Sequence, residues 1–205
     1  EDVSVIVADV NRVEGEDLAN QIRGEGRSAF FVDLDVTDSR SVNSLVDTVV
    51  QKHGTIDILV NSAGITDRQP ALDFPEEVFD RIIAVNLKGT FLCCQSVGRI
   101  MAKREKGKII NLSSIGGTIG LKNTIGYCAS KGGVVQMTRA LAVDWAQYNI
   151  NVNAIAPGLN NTPIAKQVFK DQQTLDYFLA NVPLGRLCEP EEVAAAALYL
   201  ASEVS

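Results

Sequence analysis

Residues 108–131 read KIINLSSIGGTIGLKNTIGYCASK, and the order of their parts decides the fold class. A short β-branched run, Lys108–Leu112, leads into a small, polar and glycine-rich stretch, and a segment with helical period follows from about Tyr127. A strand that passes through a loop into a helix is the repeating unit of a parallel sheet covered by helices. The stretch therefore predicts an α/β fold.

The rest of the chain repeats this alternation. Apolar residues with helical spacing follow Thr37 and Asp38, continue through a longer helix opened by Pro75, and recur up to about Tyr148 and after Pro190. We predict a doubly wound, Rossmann-like parallel sheet with helices on both faces, in a single domain over residues 1–205. The other strand candidates are Val3–Ala8, Ala29–Val32, Ile56–Val60 and Asn151–Ala156.

Both ends of the predicted fold are expected to be incomplete. No GxGxxG-like segment precedes Val3, and the chain stops at Ser205 after a helix. In a doubly wound sheet, a glycine-rich turn after the first strand places a pyrophosphate at a helix N-terminus. We therefore expect the first strand–turn–helix unit and the last strand to be missing from these 205 residues.

Composition argues against several classes of function. The 19 basic and 25 acidic residues give a net charge of −6, so neither nucleic acid nor an anionic membrane surface is an expected partner. No apolar run approaches the length that spans a bilayer. A single histidine, His53, makes a histidine-based metal site unexpected, and four cysteines without CxxC spacing indicate free thiols in a cytoplasmic protein.

Polar residues or glycines stand just past all five predicted strands. The carboxyl ends of parallel strands meet at one edge of the sheet, where such sheets bind ligands, so these residues are expected to form the functional site. Asn61 could brace neighbouring strands and Gly64 could admit a ligand, although both also fit an ordinary turn. The full set is Asp9, Asp35, Asn61-Ser62-Ala63-Gly64, Ser113 with Ser114, and Pro157 with Gly158.

Tyr127 and Lys131 form a candidate chemical pair. They are four positions apart, so they share one face of the predicted helix. A phenol has a pKa of about 10, and a nearby ammonium lowers it toward the range of a useful base. Ser114 could donate a hydrogen bond to a carbonyl oxygen held beside the tyrosine. The alternatives are a half-buried tyrosine beside a solvated lysine, and a turn-capping serine, which is the preferred interpretation of Ser113.

Together these motifs resemble the short-chain dehydrogenase/reductase family. They occur in the family's order and the resemblance covers nearly all of the chain. It implies an NAD(P)-dependent oxidoreductase that transfers a hydride between a nicotinamide cofactor and a secondary alcohol or ketone. The motifs are Asn61-Ser62-Ala63-Gly64, Asn86 within Val85-Asn86-Leu87-Lys88-Gly89, Ser114, Tyr127-Cys128-Ala129-Ser130-Lys131, and Pro157-Gly158 with Thr162.

The resemblance also implies a role for each catalytic residue. Tyr127 is expected to be the general acid/base, and Ser114 to orient the substrate oxygen. Lys131 is expected to lower the pKa of the tyrosine and to hydrogen-bond the nicotinamide ribose. Asn86 is expected to hold a water molecule in a proton relay.

The cofactor contacts implied by the resemblance come from several strand ends. Pro157, Gly158 and Thr162 are expected to position the nicotinamide carboxamide. The adenine is expected against Asp35 and Val36, and its ribose near Asn61, Ala63 and Gly64.

Asp9 bears on the choice between NAD and NADP. A carboxylate at the end of this strand can accept hydrogen bonds from the ribose hydroxyls, whereas it would repel a 2′-phosphate. The only nearby basic residue is Arg12. NAD is therefore the expected cofactor and NADP the less favoured one, with a plain turn residue as the alternative role of Asp9.

The substrate expectation is a polyol, sugar or sugar acid, bound between the loop after Gly64, residues 116–123 and residues 159–182. The nearest rival is a 3-oxoacyl-[acyl-carrier-protein] reductase, and a non-catalytic binding or assembly homologue is the alternative from another class. The polar candidates of this pocket are Thr66, Arg68, Gln69, Asn123, Asn160 and Gln167, and the apolar ones are Phe169, Tyr177 and Phe178.

Family members usually assemble through two long helices, which correspond here to Pro75–Arg104 and Gly126–Tyr148. A homodimer or homotetramer is expected on this resemblance.

Overall fold

Five strands alternate with seven α-helices in the computed structural model, which describes residues 3–162 and 172–205. The chain therefore has the predicted α/β architecture. The elements are β1 (Ser4–Asp9), α1 (Arg12–Gly24), β2 (Ser28–Asp33), α2 (Ser39–His53), β3 (Ile58–Asn61), α3 (Glu76–Ile83), α4 (Thr90–Arg104), β4 (Gly107–Leu112), α5 (Ile125–Trp145), β5 (Ile150–Ile155), α6 (Gln172–Leu179) and α7 (Pro190–Ala201).

All paired strands are parallel, and they form two hydrogen-bonded groups. In one group β1 pairs with β2, which sets Asp9 beside Asp33 at the strand ends. In the other the order is β3-β4-β5, which sets Asn61 beside Asn111. No ladder joins β1 to β3 among the described residues.

Both faces of β4 are covered. Ile109 and Ile110 are 1% and 0% exposed, and successive side chains of a strand point to opposite faces. Ile109 belongs to a core that α2, α4 and α5 share with β4 and β5, whereas α7 packs against β4 and β5. This is the two-sided burial expected of a parallel sheet. The other buried members of the core are Val46, Cys94, Val97, Met101, Leu141, Ile150 and Val152.

The helices differ from the sequence prediction in two places. The long helix opened by Pro75 is interrupted by a π-helical segment, Ala84–Gly89, between α3 and α4. Helix α1 was missing from the prediction because the residues that it buries, Gly15 and Ala19, are too small to form a visible apolar stripe. A Cβ at Gly15 would lie 2.2 Å from the Phe31 ring, so only glycine permits this close packing on β2.

Candidate active site

The loops after β4 and β5 are tied together at the carboxyl end of the sheet. The backbone N–H of Ser113 donates to the carbonyl of Ile155 at 2.8 Å, and that of Ile115 donates to the carbonyl of Pro157 at 3.0 Å. Ser114 and Pro157 are therefore neighbours, as expected for residues that follow adjacent parallel strands.

Lys131 lies on α5 with only 5% of its surface exposed. Its Nζ donates a 2.6 Å hydrogen bond to the carbonyl of Leu112, the last residue of β4. Burial lowers the pKa of Lys131 to about 8, because the charged form loses its hydration. The ammonium stands 5.9 Å from the centroid of the Tyr127 ring, so the two residues share one face of the helix as predicted.

Tyr127 is half-buried at the start of the same helix. Burial raises the pKa of the Tyr127 phenol, and hydrogen bonding with Ser114 opposes this effect in part. The net direction is opposite to the lowering expected from Lys131, because desolvation dominates at the phenol. The lowering of this pKa by Lys131 stays a prediction.

Ser113 and Ser114 have different surroundings although both are buried. The Ser113 hydroxyl donates to the carbonyl of Lys131 at 2.9 Å, so it joins the loop to α5 and does not have the turn-capping role preferred for it. The Ser114 hydroxyl accepts from the backbone N–H of Gly116 at 3.1 Å and caps a short 3₁₀ turn, Ile115–Gly117. A Cβ at Gly116 would lie 3.4 Å from the Tyr127 ring. The turn that Ser114 caps therefore lies against Tyr127, the candidate catalytic tyrosine.

Asn86 is fully buried in the π-helical segment and is bonded on both sides of its amide. Its Oδ1 accepts from the backbone N–H of Ile65 at 2.8 Å, and its Nδ2 donates to the carbonyl of the same residue at 2.9 Å. Nδ2 also donates to the hydroxyl of Ser130 on α5 at 3.0 Å. Asn86 thus fastens the loop after β3 to the helix that carries Tyr127.

Gly64 lies where Asn86 and Lys131 converge. A Cβ added there would be 3.5 Å from the Asn86 Oδ1 and 3.5 Å from the Lys131 Nζ. Because Gly64 has no side chain, a ligand could approach the Lys131 ammonium through the space that a larger side chain would fill. Gly64, Asn86, Ser114, Tyr127 and Lys131 are therefore brought together by β3, β4 and α5.

Asn61 has the bracing role that its motif allowed. Its Nδ2 donates to Oδ1 of Asn111 at 2.8 Å, and Asn111 in turn donates to the hydroxyl of Thr138 on α5 at 2.9 Å. All three side chains are buried, so the network joins β3, β4 and α5. Sequence reasoning missed Asn111, Thr138 and Ser130. The signal for Asn111 was an amide inside the apolar run Ile109-Ile110-Asn111-Leu112.

The residues expected at the adenine end lie on the other strand pair and its loops. Asp9 is exposed, and its Oδ1 accepts from the backbone N–H of Asn11 at 2.8 Å. The carboxylate of Asp35 accepts from the backbone N–H and the hydroxyl of Thr37, which organises the turn before α2. Val36 packs on Gly89, where a Cβ would approach the valine Cγ2 to 2.7 Å.

A cavity of about 380 Å³ opens beside the start of α5. The loop after Gly64 borders it, because the backbone N–H of Gln69 donates to the carbonyl of Asn123 at 3.0 Å. The predicted pocket residues Gln167 and Phe169 lie outside the described residues, as does the side chain of Tyr177. The cavity is lined by Ala71, Gly120, Leu121, Asn123, Thr124, Ile125, Cys128 and Ala129.

Asn160 and Thr162 continue the loop after Gly158. The Nδ2 of Asn160 donates to the carbonyl of Gly158 at 3.2 Å, and the Thr162 backbone N–H donates to the carbonyl of Asn160 at 3.0 Å.

Within residues 3–162 and 172–205, no helix is long and apolar enough to cross a bilayer. The same residues contain no group of metal-binding side chains.

Comparisons with known proteins agree with this geometry. A family model described as enoyl-(acyl carrier protein) reductase matches residues 1–205. The NAD-dependent glycerol dehydrogenase of Listeria innocua is 40% identical, over 98% of this chain and 78% of the relative. The 3-oxoacyl-[acyl-carrier-protein] reductase FabG of Thermotoga maritima is 40% identical, over 100% of this chain and 82% of the relative.

Among solved structures, a gluconate 5-dehydrogenase from Burkholderia cenocepacia in complex with NADP and tartrate superposes with a TM-score of 0.95. It is 34% identical and is matched over 99% of this chain and 80% of its own. The parallel α/β fold, the cluster of Ser114, Tyr127 and Lys131, and these relatives all lead to the same conclusion. The chain belongs to the short-chain dehydrogenase/reductase family.

Proposed function

We propose that the protein is an NAD-linked dehydrogenase that interconverts a secondary alcohol and a ketone on a polyol, sugar or sugar acid. The observation that carries this proposal is the convergence of Lys131, Asn86 and Gly64 beside Tyr127 and Ser114. Relatives that act on glycerol and gluconate support the substrate class.

The site fits a nicotinamide dinucleotide. The missing side chain at Gly64 leaves room for a ribose hydroxyl beside the Lys131 ammonium. At the carboxyl end of β1, in the other strand group, the exposed Asp9 keeps its Oδ2 without a hydrogen bond among the described residues, so it can accept one from the adenosine ribose. Pro157, Gly158 and Thr162 would contact the nicotinamide carboxamide, and Asp35 and Val36 the adenine. Asn61 and Ala63 would lie near the adenine ribose, whereas Gly64, expected there too, lies beside Lys131 and would face the nicotinamide ribose.

The protein's own residues would manage the proton and the oxygen. A bound nicotinamide supplies the acceptor or donor of the hydride. The Tyr127 hydroxyl would give its proton to the substrate oxygen in reduction and take it back in oxidation. The Ser114 hydroxyl would donate a hydrogen bond to the same oxygen and stabilise its developing charge.

Lys131 and Asn86 would support this proton transfer. The raised pKa of Tyr127 keeps the phenol protonated at neutral pH, which is the form needed for reduction. For oxidation, the Lys131 charge would stabilise the phenolate, and a pKa of about 8 keeps most of this charge at pH 7. Asn86 would hold, through a carbonyl oxygen, a water molecule that passes the proton onward, because both hydrogens of its Nδ2 are already bonded to Ile65 and Ser130.

The surroundings of Asp9 support NAD as the cofactor. Arg12, the nearby residue that could bind a 2′-phosphate, is paired with Glu16 at 2.9 Å and also with Asp33. Its charge is therefore already balanced by carboxylates. NADP is the less favoured cofactor, although the gluconate 5-dehydrogenase relative was solved with it.

The test is turnover by the purified protein with NAD or NADP on alditols, aldonates and hydroxyacyl thioesters. Tyr127→Phe should lower kcat by about 10²- to 10⁴-fold, because the proton donor is removed, while NADH affinity changes less than about threefold. Tyr148→Phe is the matched control, because Tyr148 lies in the 3₁₀ turn that follows α5, at the end of the helix opposite to Tyr127. Undiminished turnover in Tyr127→Phe would contradict the proposal.

The second candidate function is reduction of 3-oxoacyl thioesters. The 40% identity to the Thermotoga maritima reductase favours it. A kcat/KM for the thioester above that for every alditol and aldonate would select this function.

We further propose a cytoplasmic homodimer or homotetramer. The four free cysteines, of which Cys93 and Cys94 are buried, suit a reducing compartment. Phe91 on α4 and Val143 on α5 are 39% and 78% exposed, and these helices correspond to the expected interface.

A further inference from the structure

We infer that Arg68 binds a carboxylate of the substrate, which makes a sugar acid or another hydroxy acid the preferred substrate of this site. This inference rests on the proposed dehydrogenase function and specifies its substrate class.

Arg68 belongs to the loop that leaves the catalytic face. Gly64 is next to Lys131, Ile65 is held by Asn86, and Arg68 follows three residues later. The Nη2 of Arg68 donates to the carbonyl of Lys122 at 3.2 Å, in the segment that leads into α5. Arg68 is therefore attached to the chain just before Tyr127.

The cavity beside α5 is next to the point where the loop of Arg68 is bonded to the segment before α5. The neighbouring Gln69 is bonded to Asn123, and Ala71 lines the same cavity as Asn123, Thr124 and Cys128. Ser114, Tyr127 and Lys131 are not among the lining residues, so the position of Arg68 relative to the site follows from its loop, which begins beside Lys131 at Gly64.

The Arg68 guanidinium is supported on one face, so its N–H edge is available to bind a ligand. Its Cζ stands 5.4 Å from the centroid of the Phe178 ring, which supports one face of the group. The hydrogen bond to Lys122 uses one N–H, and the side chain is exposed. A guanidinium positioned in this way offers its remaining N–H groups to a carboxylate in a bidentate arrangement.

The charge of Arg68 has no balancing carboxylate in the part of the chain that the structure describes. None of the ion pairs within residues 3–162 and 172–205 includes Arg68. The adjacent Asp67 accepts instead from the side chain of Gln69 at 3.1 Å. In a protein of net charge −6, an unpaired cation beside the proposed pocket favours an anionic ligand.

The experiment compares an aldonate with the alditol of the same carbon number, since the two differ in charge and keep the same carbinol chemistry. The wild type should prefer the aldonate in kcat/KM. Arg68→Gln should lower kcat/KM for the aldonate by about 10- to 100-fold, mostly through KM, and change that for the alditol less than about twofold. Arg68→Lys should lie between the two, because it keeps the charge and loses the bidentate geometry.

Arg139→Gln on α5 is the matched control, because Arg139 is an exposed arginine that the proposed site does not use. An equal loss for both substrates in Arg68→Gln would mean that the loop is merely disturbed, and would overturn the inference. So would a wild type that prefers the alditol, in which case the proposed dehydrogenase function stands, or one that prefers a hydroxyacyl thioester, which selects the second candidate function. If no alcohol or ketone reacts while NADH binds, the proposed function itself fails.

Discussion

Lys131 shows at the scale of one residue how burial controls a titratable group. Its ammonium is held at the end of β4 by a single carbonyl, and removal from water lowers its pKa to about 8. The same burial raises the pKa of Tyr127. Both shifts favour the neutral forms, because burial removes from each group the water that would stabilise its charge.

Asp9 is the residue on which the cofactor prediction depends. Replacing it by alanine should lower the ratio of kcat/KM for NAD to that for NADP by about tenfold or more, because the ribose loses a charged hydrogen-bond partner and a 2′-phosphate is no longer repelled. The measurement is initial-rate kinetics with each cofactor at a fixed substrate concentration.

Asp17→Ala is the control for this experiment, since Asp17 is an exposed carboxylate on α1. An unchanged cofactor ratio in Asp9→Ala would leave Asp9 as a turn residue that only accepts the N–H of Asn11.

At the scale of elements, the π-helical segment between α3 and α4 holds the site together. It keeps Asn86 buried, while the Asn86 carbonyl accepts from the hydroxyl of Thr90 at 2.8 Å. Such insertions in helices often occur at functional sites. Here the segment joins the loop after β3 to α5 through one amide.

The 3₁₀ turn after β4 approaches α5 so closely that only glycine fits at its end. A Cβ at Gly117 would lie 2.8 Å from the carbonyl oxygen of Lys131 and 2.7 Å from the hydroxyl of Ser113. Gly117→Ala should reduce the free energy of unfolding by about 1–3 kcal/mol and lower kcat, because the turn and α5 must separate. Urea unfolding and steady-state kinetics measure the two effects.

Gly120→Ala is the matched variant in the same loop, because a Cβ there meets nothing within 4 Å. Its free energy of unfolding should stay within about 0.5 kcal/mol of the wild-type value. Equal losses in the two variants would show that the loop tolerates no side chain anywhere, and would refute the close-contact explanation.

At the scale of the whole molecule, the proposed assembly has a direct test. Val143→Lys on α5 should shift the purified protein toward monomers, because a charge would be buried in the proposed interface. Val13→Lys, on the equally exposed Val13 of α1, should not change the mass. Light scattering after size-exclusion chromatography gives the masses, and a wild-type monomer would contradict the proposal.

Much of this molecule could be predicted because the relevant signals are local. The alternation of β-branched runs and helical spacing identified all five strands, to within about two residues at each end, and most helices. Polar residues after buried runs indicated one edge of a parallel sheet. The spacing of Tyr127 and Lys131 placed them on one helical face. Each of these inferences needs only the geometry of a strand or a helix.

Other features depend on contacts between distant parts of the chain, and only the tertiary structure decided them. The Asn61 amide meets Asn111 across 50 positions, and the pocket candidate Arg68 meets Lys122 across 54. The division of the strands into two groups and the interruption of the long helix also have no local signal. The Tyr127 pKa follows this rule as well. The sequence spacing identified Lys131 as the neighbour of Tyr127. The direction of the Tyr127 pKa shift, however, is set by how much water the packed chain removes from the phenol.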